Sequence, residues 1–136
     1  MTARVVVVGS GAFGTALAVA AATSDNADVA LLCRRRELVE SLKSTRVNAR
    51  SLPGIRLPDG IDFTDNARVL EGATVVLLAV PSQAQREAAH GLQHVLDRGQ
   101  AIVTCAKGID KVSGGLLTDV LQEELPGRSI SVLSGP

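Results

Sequence analysis

Apolar residues in this sequence are gathered into short runs, separated by stretches in which polar, Gly and Pro residues predominate. Unbroken apolar runs of this length are typical of strands that are covered on both faces of a parallel sheet. The sequence therefore predicts six strands, at residues 4–8, 28–33, 61–64, 73–80, 101–105 and 129–133.

Stretches with helical character alternate with these runs. Helices are predicted at residues 13–23, 35–44, 66–70, 82–96 and 115–125. Residues 48–58 are predicted to be a loop, because they contain Pro53, Gly54 and Pro58. The alternation predicts one α/β domain over residues 1–136, with a doubly wound, mostly parallel sheet of the Rossmann type.

Composition excludes several classes of protein. The 136 residues carry 14 basic and 14 acidic side chains, which argues against a general nucleic-acid binder. No apolar stretch approaches about 18 residues, so no membrane span is expected, and the first strand leaves no room for a signal peptide. We expect a cytoplasmic protein with free thiols at Cys33 and Cys105. No metal site is predicted, since His90 and His94 have no nearby third ligand.

A glycine-rich loop, GSGAFG at positions 9–14, joins the first strand to an Ala-rich helix. In a dinucleotide-binding loop of this spacing, Gly9 permits a tight turn, Gly11 lets the pyrophosphate approach the backbone, and Gly14 lets the helix pack on the strand. The helix start then offers unpaired N–H groups to the phosphates. We predict dinucleotide binding here, with a purely structural turn as the alternative.

The end of the second strand carries bases rather than acids. An Asp or Glu about 20 residues beyond the glycines commonly holds the ribose 2′-hydroxyl of NAD. Here Arg34 and Arg35 occupy that place, and the first acid is Glu37. Because a guanidinium suits a 2′-phosphate, both arginines are predicted cofactor contacts that favour NADP over NAD. Arg36 is interpreted as a solvated residue at a helix start, which is also the alternative for the other two.

Lys107 follows the fifth predicted strand, and Gly108 after it would let a ligand come close. In an open parallel sheet this strand end and the glycine loop open onto the same edge, where ligands bind. We predict that Lys107 lies beside the reactive end of the dinucleotide. The alternative is a surface lysine in a turn.

Five segments carry a resemblance to a known family: GSGAFGTALA at 9–18, NARSLPGIRLP at 48–58, AVPSQ at 79–83, AKGID at 106–110 and LSGP at 133–136. Over its whole length the chain resembles NAD(P)-dependent glycerol-3-phosphate dehydrogenase. The resemblance implies a Rossmann domain followed by an all-helical substrate domain. The Gly-Pro ending, just after the sixth predicted strand, looks like a cut, so we expect the C-terminal helical domain to be absent from this chain.

The resemblance also implies roles for single residues. Lys107 would be the catalytic residue of this domain: it would contact substrate and cofactor and help to polarise or position the reacting oxygen. The family's proton-transferring lysine lies in the helical domain, and Gly135 would contact the substrate. The cofactor contacts expected from the motifs and the resemblance together are Gly9, Gly11, Ala12, Phe13, Gly14, Arg34, Arg35, Pro81 and Lys107.

The family's reaction moves a hydride between NAD(P)(H) and C2 of glycerol 3-phosphate, or of dihydroxyacetone phosphate in reverse, and supports the synthesis of glycerophospholipid precursors. The implied partner is a small phosphorylated molecule, with no nucleic acid and no membrane, and any homodimer would form through the full-length protein. Without its helical domain the chain is expected to bind the cofactor but not to catalyse the reaction. The alternatives are a stand-alone NAD(P)-sensing module and a domain of a related NADP-dependent keto-acid reductase.

Overall fold

The computed structural model describes residues 3–24, 26–106 and 108–133. Each predicted apolar run forms a strand in one sheet: β1 (Ala3–Val8), β2 (Ala27–Leu32), β3 (Ile61–Thr64), β4 (Val75–Leu78), β5 (Ala101–Thr104) and β6 (Ser129–Val132). The strand order is β3-β2-β1-β4-β5-β6, and every neighbouring pair is parallel. This arrangement confirms the predicted doubly wound sheet.

Helices connect the strands: α1 (Ala12–Ala22), α2 (Arg36–Thr45), α3 (Gln85–Leu92) and α4 (Leu117–Glu124), with short 3₁₀ turns at Ala67–Leu70 and Ser82–Ala84. The prediction of one helix over residues 82–96 was wrong at both ends, because a 3₁₀ turn precedes α3 and the helix ends at Leu92. Beyond that residue the chain turns so that both Val95 and Leu96 enter the core. None of the helices in the described residues is long and apolar enough to cross a membrane.

The strands are apolar throughout because the sheet is buried on both faces. In β1, Val6 belongs to the core that packs against α3 and α4, whereas Val7 belongs to the core that packs against α1 and α2. Both residues are 0% exposed. Aliphatic side chains make up most of both layers, and Phe63 adds a buried ring to the layer beside α1 and α2.

The order of the strands creates the place where a ligand can bind. From β1 the chain winds outward to β2 and β3, then crosses back to β4 on the other side of β1. Connections leave β1 and β4 in opposite directions, which opens a crevice at the carboxyl ends of these strands. The glycine loop follows β1 directly and therefore lies at this crevice.

Candidate functional site

A cleft of about 1010 Å³ lies at the carboxyl edge of the sheet. Its size suits a ligand as large as a dinucleotide. One wall is the glycine loop after β1, and the ends of β2, β4 and β5 contribute the others. The cleft brings together, from separate parts of the sequence, most of the predicted site residues that the structure describes: Gly9, Gly11, Ala12, Phe13, Arg34, Arg35 and Pro81.

Two of the three motif glycines are required by the protein itself. Gly9 has a φ of +115°, and a Cβ on it would lie 2.9 Å from the carbonyl oxygen of Ala79. A Cβ on Gly14, which is buried, would collide with the carbonyl oxygen of Gly9. These positions therefore let the loop turn and let α1 pack closely against the ends of β1 and β4.

Gly11 is different, because none of the described residues beyond its own chain neighbours has an atom within 4 Å of the Cβ that Gly11 lacks. Its φ of −70° is also open to any residue. Neither the space around Gly11 nor its backbone angles therefore require a glycine here. Gly11 lines the cleft, so the lack of a side chain there leaves its backbone accessible to a ligand.

Backbone amides at the start of α1 belong to residues that line the cleft. Gly11 caps the helix, makes no side-chain capping bond, and is followed by no acidic residue in the first turn. Within the described part of the chain, the amides of Gly11, Ala12 and Phe13 donate to no backbone acceptor. Unpaired amides at a helix start, together with the helix dipole, favour an anion such as a pyrophosphate.

Two arginines also line the cleft. Arg34 and Arg35 follow β2, are exposed, and form no ion pair with any described residue. Arg36 does not line the cleft; its Nε lies 3.7 Å from the Asp65 carboxylate and its side chain is 75% exposed. Two guanidinium groups are thus available to a negatively charged ligand, and the third is held by a neighbouring acid.

Sequence reasoning missed Asp65, which also lines the cleft beside these arginines. It follows β3, and the N–H of Cys33 donates to the carbonyl of Thr64 at 2.8 Å, which holds the ends of β2 and β3 together. The side chain of Asp65 is 32% exposed. The available signal was an acid directly after the third strand, at the same edge of the sheet.

Apolar groups complete the walls of the cleft. Phe13 is 53% exposed, which is unusual for a large aromatic side chain in a small domain and leaves its ring facing the cleft. Pro81 follows β4 and precedes the 3₁₀ turn. Both contribute surfaces against which a flat ring system could pack.

Both cysteines line the cleft as free thiols. Burial raises the pKa of Cys33 to about 11, although a hydrogen bond with Ser10 acts in the opposite direction. Burial also raises the pKa of Cys105. Since the thiolate is the reactive form, neither group is prepared to act as a nucleophile.

Two predicted residues, Lys107 and Gly135, lie outside the residues that the structure describes. The chain before Lys107 does reach the cleft, because Cys105 and Ala106 both line it. The N–H of Ala106 donates to the Thr104 hydroxyl at 3.2 Å, which secures this end of β5.

No group of three metal-ligating side chains occurs in the ranges given above. His90, considered with His94 as a pair of ligands, lies instead beside Glu124, with Nδ1 3.2 Å from a carboxylate oxygen. Its side chain is 72% exposed. This histidine therefore belongs to a surface contact between α3 and α4.

Known proteins resemble this chain in both sequence and structure. The glycerol-3-phosphate dehydrogenase (NAD(P)+) of Rhizobium etli is 47% identical over 136 residues, which are 100% of this chain and 42% of that protein. The enzyme of the same name from Sinorhizobium fredii is 53% identical over 133 residues, 98% of this chain and 40% of that protein. The crystal structure of glycerol-3-phosphate dehydrogenase from Coxiella burnetii matches 99% of this chain and 41% of its own, with a TM-score of 0.88 and 32% identity.

This chain therefore spans about two fifths of the length of the curated relatives it matches. The matching part is the one that contains the cleft and all six strands. Residues 4–136 match the family model described as NAD-dependent glycerol-3-phosphate dehydrogenase N-terminus. The chain thus belongs to the family of N-terminal domains of NAD-dependent glycerol-3-phosphate dehydrogenases.

Proposed function

We propose that this domain binds a nicotinamide dinucleotide in the cleft and serves the interconversion of glycerol 3-phosphate and dihydroxyacetone phosphate. The observation that carries the proposal is the free space at Gly11, beside amides that have no backbone acceptor among the residues that the structure describes. A structural turn would need glycine at positions 9 and 14 but not at 11. A pyrophosphate that contacts the backbone needs it at all three.

The cleft has a suitable group for each part of the cofactor. The amides of Gly11, Ala12 and Phe13 would bind the pyrophosphate, and Arg34 and Arg35 would bind the adenosine end. Pro81 would contact the cofactor from the wall formed after β4. When bound, the cofactor supplies or accepts the hydride, and the residues of this chain hold and orient it.

For the choice between the two nicotinamide cofactors, we propose a preference for NADP(H) that Asp65 limits. Arg34 would pair with the 2′-phosphate, which NAD lacks. Asp65 would repel the same phosphate but could accept a hydrogen bond from a ribose hydroxyl of NAD(H). Opposite charges at one end of the cleft would therefore let the domain use both cofactors.

At the reactive end we propose that Lys107 contacts both cofactor and substrate. Two observations support this role: the chain enters the cleft at Cys105 and Ala106, and Lys107 is the next residue. Its ammonium group would polarise or position the oxygen at C2 of the substrate, a small phosphorylated molecule. Gly135 would contact the substrate as well. The proton would be moved by a lysine of the helical domain, so we expect this chain alone not to catalyse the reaction.

The cell compartment and the partners are proposed on the same basis. The cofactor class and the two free thiols support a cytoplasmic location. Balanced charge supports a protein whose partner is a small molecule rather than nucleic acid or a membrane. A homodimer, if one forms, would use the full-length protein.

A titration of this chain with NADPH and with NADH, followed by fluorescence, tests the proposal together with an absorbance assay using dihydroxyacetone phosphate. Binding of both cofactors without turnover is the expected result. Absence of binding would overturn the proposal. Turnover by the 136-residue chain would show that the proton-transferring group need not come from a helical domain. A stand-alone NAD(P) sensor would bind the cofactors equally well, so binding alone does not separate the two functions. The sensor would be favoured only if a longer protein containing this domain also lacked dehydrogenase activity.

A further inference from the structure

A buried asparagine from a distant loop holds the carbonyl of Ser10. Asn48, 1% exposed, donates from Nδ2 to the Ser10 carbonyl oxygen at 2.9 Å and to the Thr15 hydroxyl at 3.0 Å. The Thr15 hydroxyl, 0% exposed, donates to the same carbonyl at 3.2 Å. Two donors therefore converge on one oxygen of the glycine loop.

This carbonyl determines the direction of the next amide. The Ser10–Gly11 peptide bond is trans, like all those described, so its C=O and N–H point in opposite directions. Since the carbonyl is directed inward to Asn48 and Thr15, the N–H of Gly11 is directed outward. Gly11 is exposed and lines the cleft, so this amide faces the proposed pyrophosphate position.

The loop that carries Asn48 is itself closed at both ends. Val47 and Arg56 form an isolated antiparallel bridge, and the N–H of Leu57 donates to the Arg46 carbonyl at 2.7 Å. Leu57 is 0% exposed, which anchors the far end in the core. Within the loop, the N–H of Leu52 donates to the Asn48 carbonyl at 2.7 Å.

The near end is fixed by Arg46, which ends α2 in the left-handed conformation. Its guanidinium lies 4.6 Å from the centre of the Phe63 ring and donates to the carbonyls of Pro58 and Ile61. The loop at residues 46–58 is therefore a rigid support, and its buried amide reaches the glycine loop.

We propose that Asn48 is a positioning residue for the cofactor pyrophosphate: it fixes the Ser10–Gly11 peptide so that the Gly11 amide is ready to donate. The inference rests on the proposed dinucleotide binding. Neither Asn48 nor Thr15 lines the cleft, so both act on the ligand only through the loop. A ready-made donor binds without the cost of reorienting the peptide, which is how preorganisation raises affinity.

The variant Asn48→Asp tests this, because the carboxylate keeps the shape of the side chain but cannot donate to Ser10 or Thr15. The matched control is Gln100→Glu. Gln100 is 4% exposed, donates from Nε2 to the Leu70 carbonyl at 2.6 Å, and lies away from the cleft. Both changes replace a buried amide donor by a carboxylate, so both lower the thermal midpoint.

The expected result is a loss of about tenfold in the affinity of Asn48→Asp for NADH and for NADPH alike, with little change for Gln100→Glu. A second pair keeps the test valid if the first variant does not fold. Thr15→Val removes the hydroxyl and should weaken the binding of both cofactors. Thr15→Ser keeps the hydroxyl and should bind both as the unmodified chain does.

Two results would overturn the inference: unchanged affinity in the folded Asn48→Asp or Thr15→Val chain, or an equal loss of affinity in Gln100→Glu. The first would mean that Asn48 only stabilises its own loop. The second would mean that affinity follows global stability. If the unmodified chain binds neither cofactor, the proposed function fails instead, so the two failures are distinguishable.

Discussion

The buried amide of Gln85 joins the carboxyl ends of two neighbouring strands, because its Oε1 accepts a hydrogen bond from the Thr104 hydroxyl at 3.0 Å. Its Nε2 donates to the carbonyls of Leu78 and Val80, at 3.2 and 2.8 Å. Both Gln85 and Thr104 are 0% exposed. One side chain at the start of α3 therefore satisfies polar groups at the ends of β4 and β5, where the cleft begins.

Replacing Gln85 by Leu should destabilise the domain by about 2–4 kcal/mol, because three buried hydrogen bonds are lost and the two carbonyls lose a donor. Urea unfolding monitored by circular dichroism measures the change. The control is Gln83→Leu, at an exposed position in the preceding turn. Equal stability of the two variants would show that the network at Gln85 contributes nothing.

The apolar runs were sufficient to predict the strands, because burial on both faces requires nearly every position of a central strand to be apolar. The ends of the helices were harder to predict from the sequence. Residues 93–96 fit a helical pattern, yet Val95 and Leu96 both turn into the core after α3 has ended. The point at which α3 ends depends on how the following residues pack against the sheet, and this cannot be read from the local sequence.

The same division applies to the site. The glycine loop and Arg34 could be predicted as cofactor contacts from their spacing in the sequence, since both directly follow strands. Asn48 and Asp65 were missed, because their places depend on how a loop closes and on how β3 pairs with β2. The contact between Asn48 and Ser10 joins residues that are 38 positions apart, so no local sequence pattern predicts it.

Removal of the Arg34 side chain should lower the affinity for NADPH much more than the affinity for NADH. With Arg34→Ala, a charged hydrogen bond worth about 1.5–3 kcal/mol would be lost for NADPH, so its affinity should fall roughly 10- to 100-fold. NADH affinity should change little, and calorimetric titration measures both. Arg50→Ala, at an exposed position outside the cleft, is the control. Equal losses for both cofactors would contradict the assignment of Arg34 to the 2′-phosphate.

Neutralising Asp65 should have the opposite effect. In the Asp65→Asn chain the repulsion between carboxylate and 2′-phosphate is removed, which is worth about 1 kcal/mol at a partly exposed site, or roughly a fivefold gain in NADPH affinity. NADH should not gain. Calorimetric titration with NADPH and NADH measures both affinities. An unchanged ratio of the two dissociation constants would show that Asp65 does not contribute to cofactor selectivity.

Acid should act on the loop between β5 and α4 through Asp110, which is 5% exposed. Hydrogen bonds from Ser113, with Arg86 nearby, hold the pKa of this carboxyl below its usual 3.8. A carboxylate whose pKa is lowered by folding stabilises the protein above its unfolded value, and this contribution is lost as pH falls through the lower, folded value. The thermal midpoint should therefore fall with pH below about 3.8, and less steeply in Asp110→Asn.

Asp119→Asn serves as the control for the pH series, because Asp119 is exposed on α4. Scanning calorimetry at a series of acidic pH values gives the slopes. Identical slopes in the unmodified chain and in Asp110→Asn would show that this carboxyl is not coupled to folding.

The proposed role of Gly11 is to leave the backbone open to a pyrophosphate, and this claim is tested by titrating the Gly11→Val chain with NADPH. The open space and the φ of −70° predict that the variant folds, with a thermal midpoint lowered only by the cost of replacing a glycine N-cap with valine, about 1 kcal/mol of stability. The valine side chain would occupy the ligand's place, so NADPH binding should be abolished while the unmodified chain binds. Normal NADPH binding by a folded Gly11→Val chain would contradict the claim and leave the glycine loop a structural turn.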